Sequence, residues 1–437
     1  MTADEATGEA EEARGGTGSG GSGAGDAEAR DAEAGDAEAR DAEAGDAEAE
    51  RARRLAAWTA ARRKLSDGPV DGTLAGRLAR LAEEGAEVYD LDGSPDIYGD
   101  GIVTRLEERT AAALGREAAA FFPTGTMAQQ VALRCWAGRT GNPVVALHPA
   151  AHPERHERGA LGRLSGLGTV HPTTEPRPPT AEEVRELEEP FGTLMLELPL
   201  RDAGFVLPTW DELVAVTEAA RERDAVVHFD GARLWECTAH FGRTLPEIAA
   251  LADSVYVSFY KSLGGLSGAA LAGPADFVAE ARAWRHRYGG QVFQQWPAAL
   301  SALVGLEREL PRLPRYAAHA TMVAAALREG LAEAGMPWFR IHPAEPHTHQ
   351  FQVWLPYGAD GLTEAGVRQA EEDGTVLFRV WDAPGAPGPP GTAVTEVTVG
   401  APGLRWGPQD VRDALYGFLA RVPERGAAGG GPGAAGA

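Results

Sequence analysis

Four short apolar runs recur through the middle of the chain, and their spacing constrains the fold more than any other feature. PVVAL (143–147), TLMLEL (193–198), AVVHFD (225–230) and SVYVSF (254–259) are continuously apolar rather than alternating. That is the pattern of strands buried on both faces. Between two of them, WDELVAVTEAARERD (210–224) sets Leu213, Val214, Val216, Thr217 and Ala220 on one side and closes in charged residues. This is an amphipathic helix. Strand–helix–strand repetition at roughly 30-residue spacing predicts an α/β fold with a mostly parallel sheet and right-handed crossovers.

After about Leu310 the character changes. A helix over 314–335 precedes strand-like FQVWLP (351–356), TVLFRVW (375–381) and AVTEVTVG (393–400), then a final helix from Gly407 to Arg421. We therefore expect a large α/β domain over 67–310 and a small α+β domain over 311–424. Residues 1–66 read as a disordered acidic Ala/Glu/Asp repeat followed by a basic helical segment, Arg51 to Lys64. Residues 425–437 read as a disordered Gly/Ala tail.

Charge narrows the class. The 437 residues carry a net −23, but the first 50 hold 16 acidic residues against three arginines, leaving about −10 for the rest. Nucleic-acid binding needs clustered Lys/Arg and is not expected. No run reaches the ~18–20 apolar residues that span a bilayer. The start lacks a basic stretch leading into an apolar one, so a secretory signal is not expected and a cytoplasmic location is. Cys135 and Cys237 sit in apolar surroundings and read as small hydrophobes.

Three segments carry chemistry. In FFPTGTMAQ (121–129) a Pro-Thr-Gly-Thr turn opens a helix, a cradle for phosphate, although a Thr or Gly there also serves as a cap. In HFDGAR (228–233) Asp230 closes a buried parallel strand, where α/β folds place ligands. A buried carboxylate requires a cationic partner. A protonated pyridine nitrogen meets that requirement, and so does Arg233. In SFYKSLGG (258–265) Lys261 ends an apolar strand before a Gly-rich turn, where desolvation favours a neutral, nucleophilic amine. Only Lys64 and Lys261 occur in a chain that otherwise uses arginine. Arginine stays protonated and cannot form a Schiff base.

Phosphate cup, ring-nitrogen carboxylate and Schiff-base lysine, in that order, resemble the fold-type-I pyridoxal-phosphate enzymes. In finer detail the chain resembles the threonine aldolase and aromatic amino acid beta-eliminating lyase family. The matching stretches are IYGDGIVTRLEE (97–108), AAAFFPTGTMAQQVAL (118–133), AAHPERHERGA (150–160), GFVLP (204–208), HFDGARLW (228–235) and SFYKSLGG (258–265). The resemblance implies a seven-stranded sheet and pyridoxal 5'-phosphate on Lys261. It implies Asp230 at the ring nitrogen, His152 stacked on the ring, Gly125 and Thr126 at the phosphate, and Ser258 and Arg233 beside the cofactor. Glu157 matches a further acidic position. Tyr98 matches a tyrosine shared across a dimer interface, so a homodimer or homotetramer is implied.

The implied activity is aldol-type cleavage of the Cα–Cβ bond of a threonine-like β-hydroxy-α-amino acid, with His152 supporting proton transfer. β-Elimination or other Cα/Cβ chemistry is the alternative, and a non-catalytic binding protein on the same scaffold is a third reading. The chain also departs from the family. Its loop before GFVLP reads Glu197-Leu198-Pro199-Leu200-Arg201-Asp202-Ala203, longer and without the family's histidine. Strand AVTEVTVG lacks the family's substrate-carboxylate arginine, leaving Arg201 or Arg379 as substitutes. Phe293 stands where a phosphate-contacting arginine is usual, with Arg285 or Arg287 as replacements. His148, His152 and His156 share a four-residue spacing, but Pro149 and Pro153 break any continuous helix, so no metal site is expected. His347 and His349 read as exposed or structural.

Overall fold

The computed structural model describes residues 45–68, 72–384 and 391–423. Residues 1–56 and 57–437 separate into two units. The acidic repeat up to residue 44 and the Gly/Ala tail lie outside the described residues. Residues 45–60 are helical, including 45–50, which the sequence assigns to the repeat tail. The helix stops short of Lys64. The amides of Arg62 and Arg63 donate to Gly374 O instead of to the preceding turn, and Arg63–Lys64 pairs in parallel with Thr375–Val376.

The apolar runs become a seven-stranded sheet. Its strands are β1 (Ala118–Phe122), β2 (Val144–Ala146), β3 (Gly168–Val170), β4 (Thr193–Glu197), β5 (Val226–Gly231), β6 (Ser254–Ser258) and β7 (Ala269–Gly273). They lie in the order β1-β7-β6-β5-β4-β2-β3. Only β7 runs antiparallel, against both β1 and β6; the remaining pairs are parallel. Every residue of β6 and β7 is buried. Helices cover both faces of such a sheet, so neither face needs polar side chains.

Helix α1 spans Leu74–Gly85, α2 Ile102–Leu114 and α3 Gly125–Thr140. Helix α4 spans Trp210–Glu222, α5 Ala275–Arg287 and α6 Trp296–Arg308. Their starts are written locally. Thr209 caps α4 in a reciprocal box, its hydroxyl accepting from Glu212 N–H while the Glu212 carboxylate accepts from Thr209 N–H. Helix α4 buries Leu213, Val216, Thr217, Ala219 and Ala220; Val214 is only partly covered.

Helix α7 (Leu313–Glu333) leads into an antiparallel sheet of β8 (Arg340–His342), β9 (Gln350–Leu355) and β10 (Ala393–Thr398), with β9 central. Helices α8 (Ala359–Asp373) and α9 (Pro408–Leu419) complete a second core, where Phe351, Val353 and Leu355 meet Leu327, Leu415 and Phe418. The segment TVLFRVW is not a strand throughout. Only Thr375–Val376 pairs, while Val376, Leu377, Phe378 and Trp381 are all buried. Burial on every side writes the same apolar run as a central strand does.

Candidate active site

The carboxyl ends of β4, β5 and β6 lie side by side and supply Glu197, Asp230 and the segment Ser258 to Lys261. Glu197 pairs in register with Asp230, and Asp230 with Tyr256. Loop residues at this end of parallel strands line a cavity, as in open α/β sheets generally. The cavity, of about 420 Å³, is bounded by Gly125, Thr126, Gln129, His152, His156, Glu157, Asp230, Tyr256, Tyr260 and Lys261.

One wall is the start of α3. Thr124 caps it by accepting from Met127 N–H at 3.2 Å. The N–H groups of Gly125 and Thr126 belong to the first turn and have no intrahelical acceptor. At a helix start they form a ready donor pair for an anion, reinforced by the helix dipole. Position 125 admits no side chain, because a Cβ there collides with the Tyr256 hydroxyl. A buried relay ties this helix to the sheet. Burial pushes His228 down to about 3, so its ring is neutral. It bridges Gln129 Oε1 and Ser254 Oγ, each at 2.8 Å, and Ser254 Oγ accepts from Trp136 Nε1–H at 2.7 Å.

The Asp230 carboxylate is buried and accepts one hydrogen bond, from Ala232 N–H at 3.2 Å. No cationic side chain forms an ion pair with it among the described residues. Arg233 does not; its guanidinium lies over the Phe205 ring, 5.3 Å from the centroid, and its buried Nε has no partner. Burial therefore raises the Asp230 pKa, countered chiefly by the charge of Lys261. Burial lowers the Lys261 pKa, with Arg233 adding to the effect and Asp230 opposing it. A carboxylate without a cation and an amine without a hydrogen bond share one cavity.

Glu197 is the residue that motif reasoning misses. Burial and the neighbouring Asp230 push its carboxyl up to about 7. Its two oxygens accept from His152 N–H at 2.7 Å and Arg201 N–H at 3.2 Å. It thus fixes both the start of the 152–155 turn and the loop after β4. Cross-strand register places it beside Asp230, and register between residues 33 apart is not written in either motif. Glu236 is a second case: buried, it accepts from the Ser262 hydroxyl and lies 3.6 Å from His349 Nε2. His349 is accordingly buried rather than exposed.

His152 Nδ1 lies 3.3 Å from Glu157 Oε1, while Gln130 Nε2–H donates to Glu157 Oε2 at 3.1 Å. His156 Nε2 is 2.9 Å from Asp202 Oδ2. His148 turns away; its ring nitrogens engage Glu175 O and Ala150 N–H.

Four expected site residues do not line the cavity. Ser258 is buried at the end of β6, its carbonyl accepting from Trp235 Nε1–H. Arg233 lies over Phe205. Arg201 is drawn to the small sheet, 3.0 Å from Glu396 Oε1, with Asp202 at 3.4 Å. Its loop extends far enough to reach an acidic residue of β10, and the ion pair turns the guanidinium there. Tyr98 is exposed with a left-handed φ of 54°, edge-on to Phe293 at 5.3 Å. Nor do the substitute arginines reach the cavity: Arg285 is buried against Glu107, Arg287 lies over Trp284, and Arg379 donates to Ser66 O.

A lysine and an unpaired buried carboxylate across one cavity, with a helix N-terminus at its edge, fit pyridoxal 5'-phosphate in a fold-type-I enzyme. The open ring-nitrogen partner at Asp230 and the side-chain-free approach at Gly125 are the features that make the fit. The chain belongs to the beta-eliminating lyase family, whose model matches residues 80–352, more than half of its length. It is 32% identical to the low specificity L-threonine aldolase of Escherichia coli over 248 residues, 54% of this chain and 73% of that one. It is 29% identical to the low-specificity L-threonine aldolase 1 of Arabidopsis thaliana over 308 residues, 67% and 82% of the two chains. Among solved structures, a Listeria monocytogenes protein assigned as an L-allo-threonine aldolase superposes with a TM-score of 0.75 at 32% identity. That match covers 85% of this chain and 99% of the other.

Proposed function

We propose that this lyase cleaves the Cα–Cβ bond of a β-hydroxy-α-amino acid of the threonine kind, releasing glycine and an aldehyde. The observation that carries the reading is the single cavity shared by Lys261 and the unpaired Asp230. The names of the relatives favour aldol cleavage over elimination.

When bound, pyridoxal phosphate supplies an electron sink for the pair released as the bond breaks. The chain's own residues do the rest. Gly125 and Thr126 hold the phosphate through backbone N–H groups and the Thr126 hydroxyl. Asp230 holds a proton on the ring nitrogen, and burial strengthens that attraction. Lys261 anchors the cofactor through its amine, which a lowered pKa keeps nucleophilic. His152, with Glu157 beside its Nδ1 and its backbone fixed by Glu197, would pack against the bound cofactor. Arg233 adds positive charge near Lys261, which favours the neutral amine, and Ser258 sets the strand end from which Lys261 emerges.

The test is to assay glycine plus aldehyde against pyruvate plus ammonia from threonine-like and other amino acids, with Lys261→Ala as the blank. Aldehyde and glycine are expected; pyruvate and ammonia alone would transfer the protein to the eliminating branch.

The exposed apolar group Ile97, Tyr98, Val292, Phe293 and Trp296 supports a homodimer in which Tyr98 of one copy reaches the other's cavity. The two cores support a large domain over 67–310 and a small one over 311–424, except that Leu313 and Tyr316 pack into the first core and Leu65 into the second. No helix among the described residues is long and apolar enough to cross a membrane. With two buried thiols this favours action in the cytoplasm.

A further inference from the structure

We propose that His156, held by Asp202, is the base that takes the β-hydroxyl proton. The inference rests on the aldolase reading above and goes beyond it in assigning the proton acceptor.

His156 lines the same cavity as Lys261, Asp230 and His152. Its ring centroid is 5.3 Å from that of His152. Its Nε2 is 2.9 Å from Asp202 Oδ2. An ionised carboxylate only accepts, so Nε2 carries the hydrogen, and Nδ1 is left as the basic lone pair. Nδ1 makes no hydrogen bond among the described residues. Asp202 comes from the loop after β4, whose backbone Glu197 holds. The loop is anchored on both sides: Arg201 N–H binds Glu197, and the Arg201 guanidinium binds Glu396 and Asp202. The loop therefore supplies the orienting carboxylate, while the 152–156 turn supplies the imidazole. His152 is less suited to the task, because its Nδ1 already faces Glu157.

The step balances. The substrate O–H bond breaks and its proton passes to His156 Nδ1. The O–H electron pair becomes the second bond of the aldehyde carbonyl. The Cα–Cβ pair stays on Cα, where bound pyridoxal phosphate would supply the electron sink. A proton later returns to Cα as glycine forms. His156 is the catalytic residue, and Asp202 is a positioning residue.

Two reactions separate this role from support of the cofactor. Exchange of the glycine α-proton in heavy water needs the cofactor and Lys261 but no β-hydroxyl base. His156→Phe and His156→Gln should slow aldehyde release about 100-fold or more. Both should keep the visible absorbance of the bound cofactor and exchange glycine at the wild-type rate. Asp202→Asn should lower kcat for cleavage with little change in KM, again sparing exchange. Cleavage at the wild-type rate in the His156 variants overturns the proposal. So does an equal loss of exchange and cleavage, which would return His156 to the cofactor site. A wild-type protein that exchanges glycine protons but releases no aldehyde from any β-hydroxy amino acid would sink the aldolase reading, and the proposal with it.

Discussion

The strand ends around the cavity and the loop after β4 are built differently. At the strand ends, Asp230, Glu197 and Lys261 project from the ends of buried parallel strands, and Gly125 and Thr126 open a 16-residue helix pinned to the sheet by His228. The loop over residues 198–206, none of which lines the cavity, is fastened instead by half-exposed charges: Arg201 to Glu396, and Asp202 to the cavity residue His156. Such pairs contribute about 0–1 kcal/mol each, whereas an unmatched buried carboxylate costs on the order of several. The rigid side is thus specific for one cofactor, and the loop side is the part that sequence change can retune at small cost to the fold.

Substitutions on the rigid side should have the larger effects. Lys261→Ala removes the anchoring amine, and lyase activity should fall by at least about 10³-fold while Tm stays close to wild type. Asp230→Asn removes the charge that holds the ring-nitrogen proton. A loss of about 10²-fold in kcat, with the cofactor's absorbance shifted, is expected. Gly125→Ala drives a Cβ into the Tyr256 hydroxyl and should weaken cofactor binding, at a stability cost of about 1–3 kcal/mol. Tyr256→Phe in the same chain should recover part of the stability; no recovery would mean that the hydroxyl is not what the methyl meets.

Glu197 gives a pH signature on the cofactor-free protein. Its folded pKa is raised from 4.5 to about 7 by burial and by Asp230. The folded state then holds a proton that the unfolded chain releases. This contribution to stability is complete below about 4.5 and is lost as pH rises toward 7. Glu197→Gln should flatten that decline in a Tm–pH series; an unchanged slope would assign the decline to other groups. The smallest effect belongs to the loop side. Glu396→Gln frees Arg201 and should change stability by less than about 1 kcal/mol, while altering KM more than kcat.

The same contrast explains what the sequence discloses. Lys261, Asp230, Gly125 and Thr126 lie in short contiguous motifs at the ends of apolar runs, so residue type and local order suffice to find them. The parallel sheet is legible for the same reason, since strands buried on both faces write uninterrupted apolar runs. Glu197 and the His156–Asp202 pair depend on strand register and loop path, over separations of 33 and 46 residues. Neither leaves a local pattern. The resemblance places an arginine at the substrate carboxylate and Arg201 is a candidate for it, but the path of its loop carries the guanidinium to Glu396. TVLFRVW shows the limit of apolar runs as strand signals, since a segment enclosed by α8, α9 and β10 needs the same residues without a ladder.

Lys261 and the buried Asp230 are expected to meet opposite ends of one bound pyridoxal phosphate. The chain's two lysines make the decisive measurement simple. The holoenzyme is reduced with borohydride, digested and mapped by mass spectrometry. A pyridoxyl adduct on Lys261 alone is the predicted result; an adduct on Lys64, or none on a protein saturated with cofactor, contradicts it.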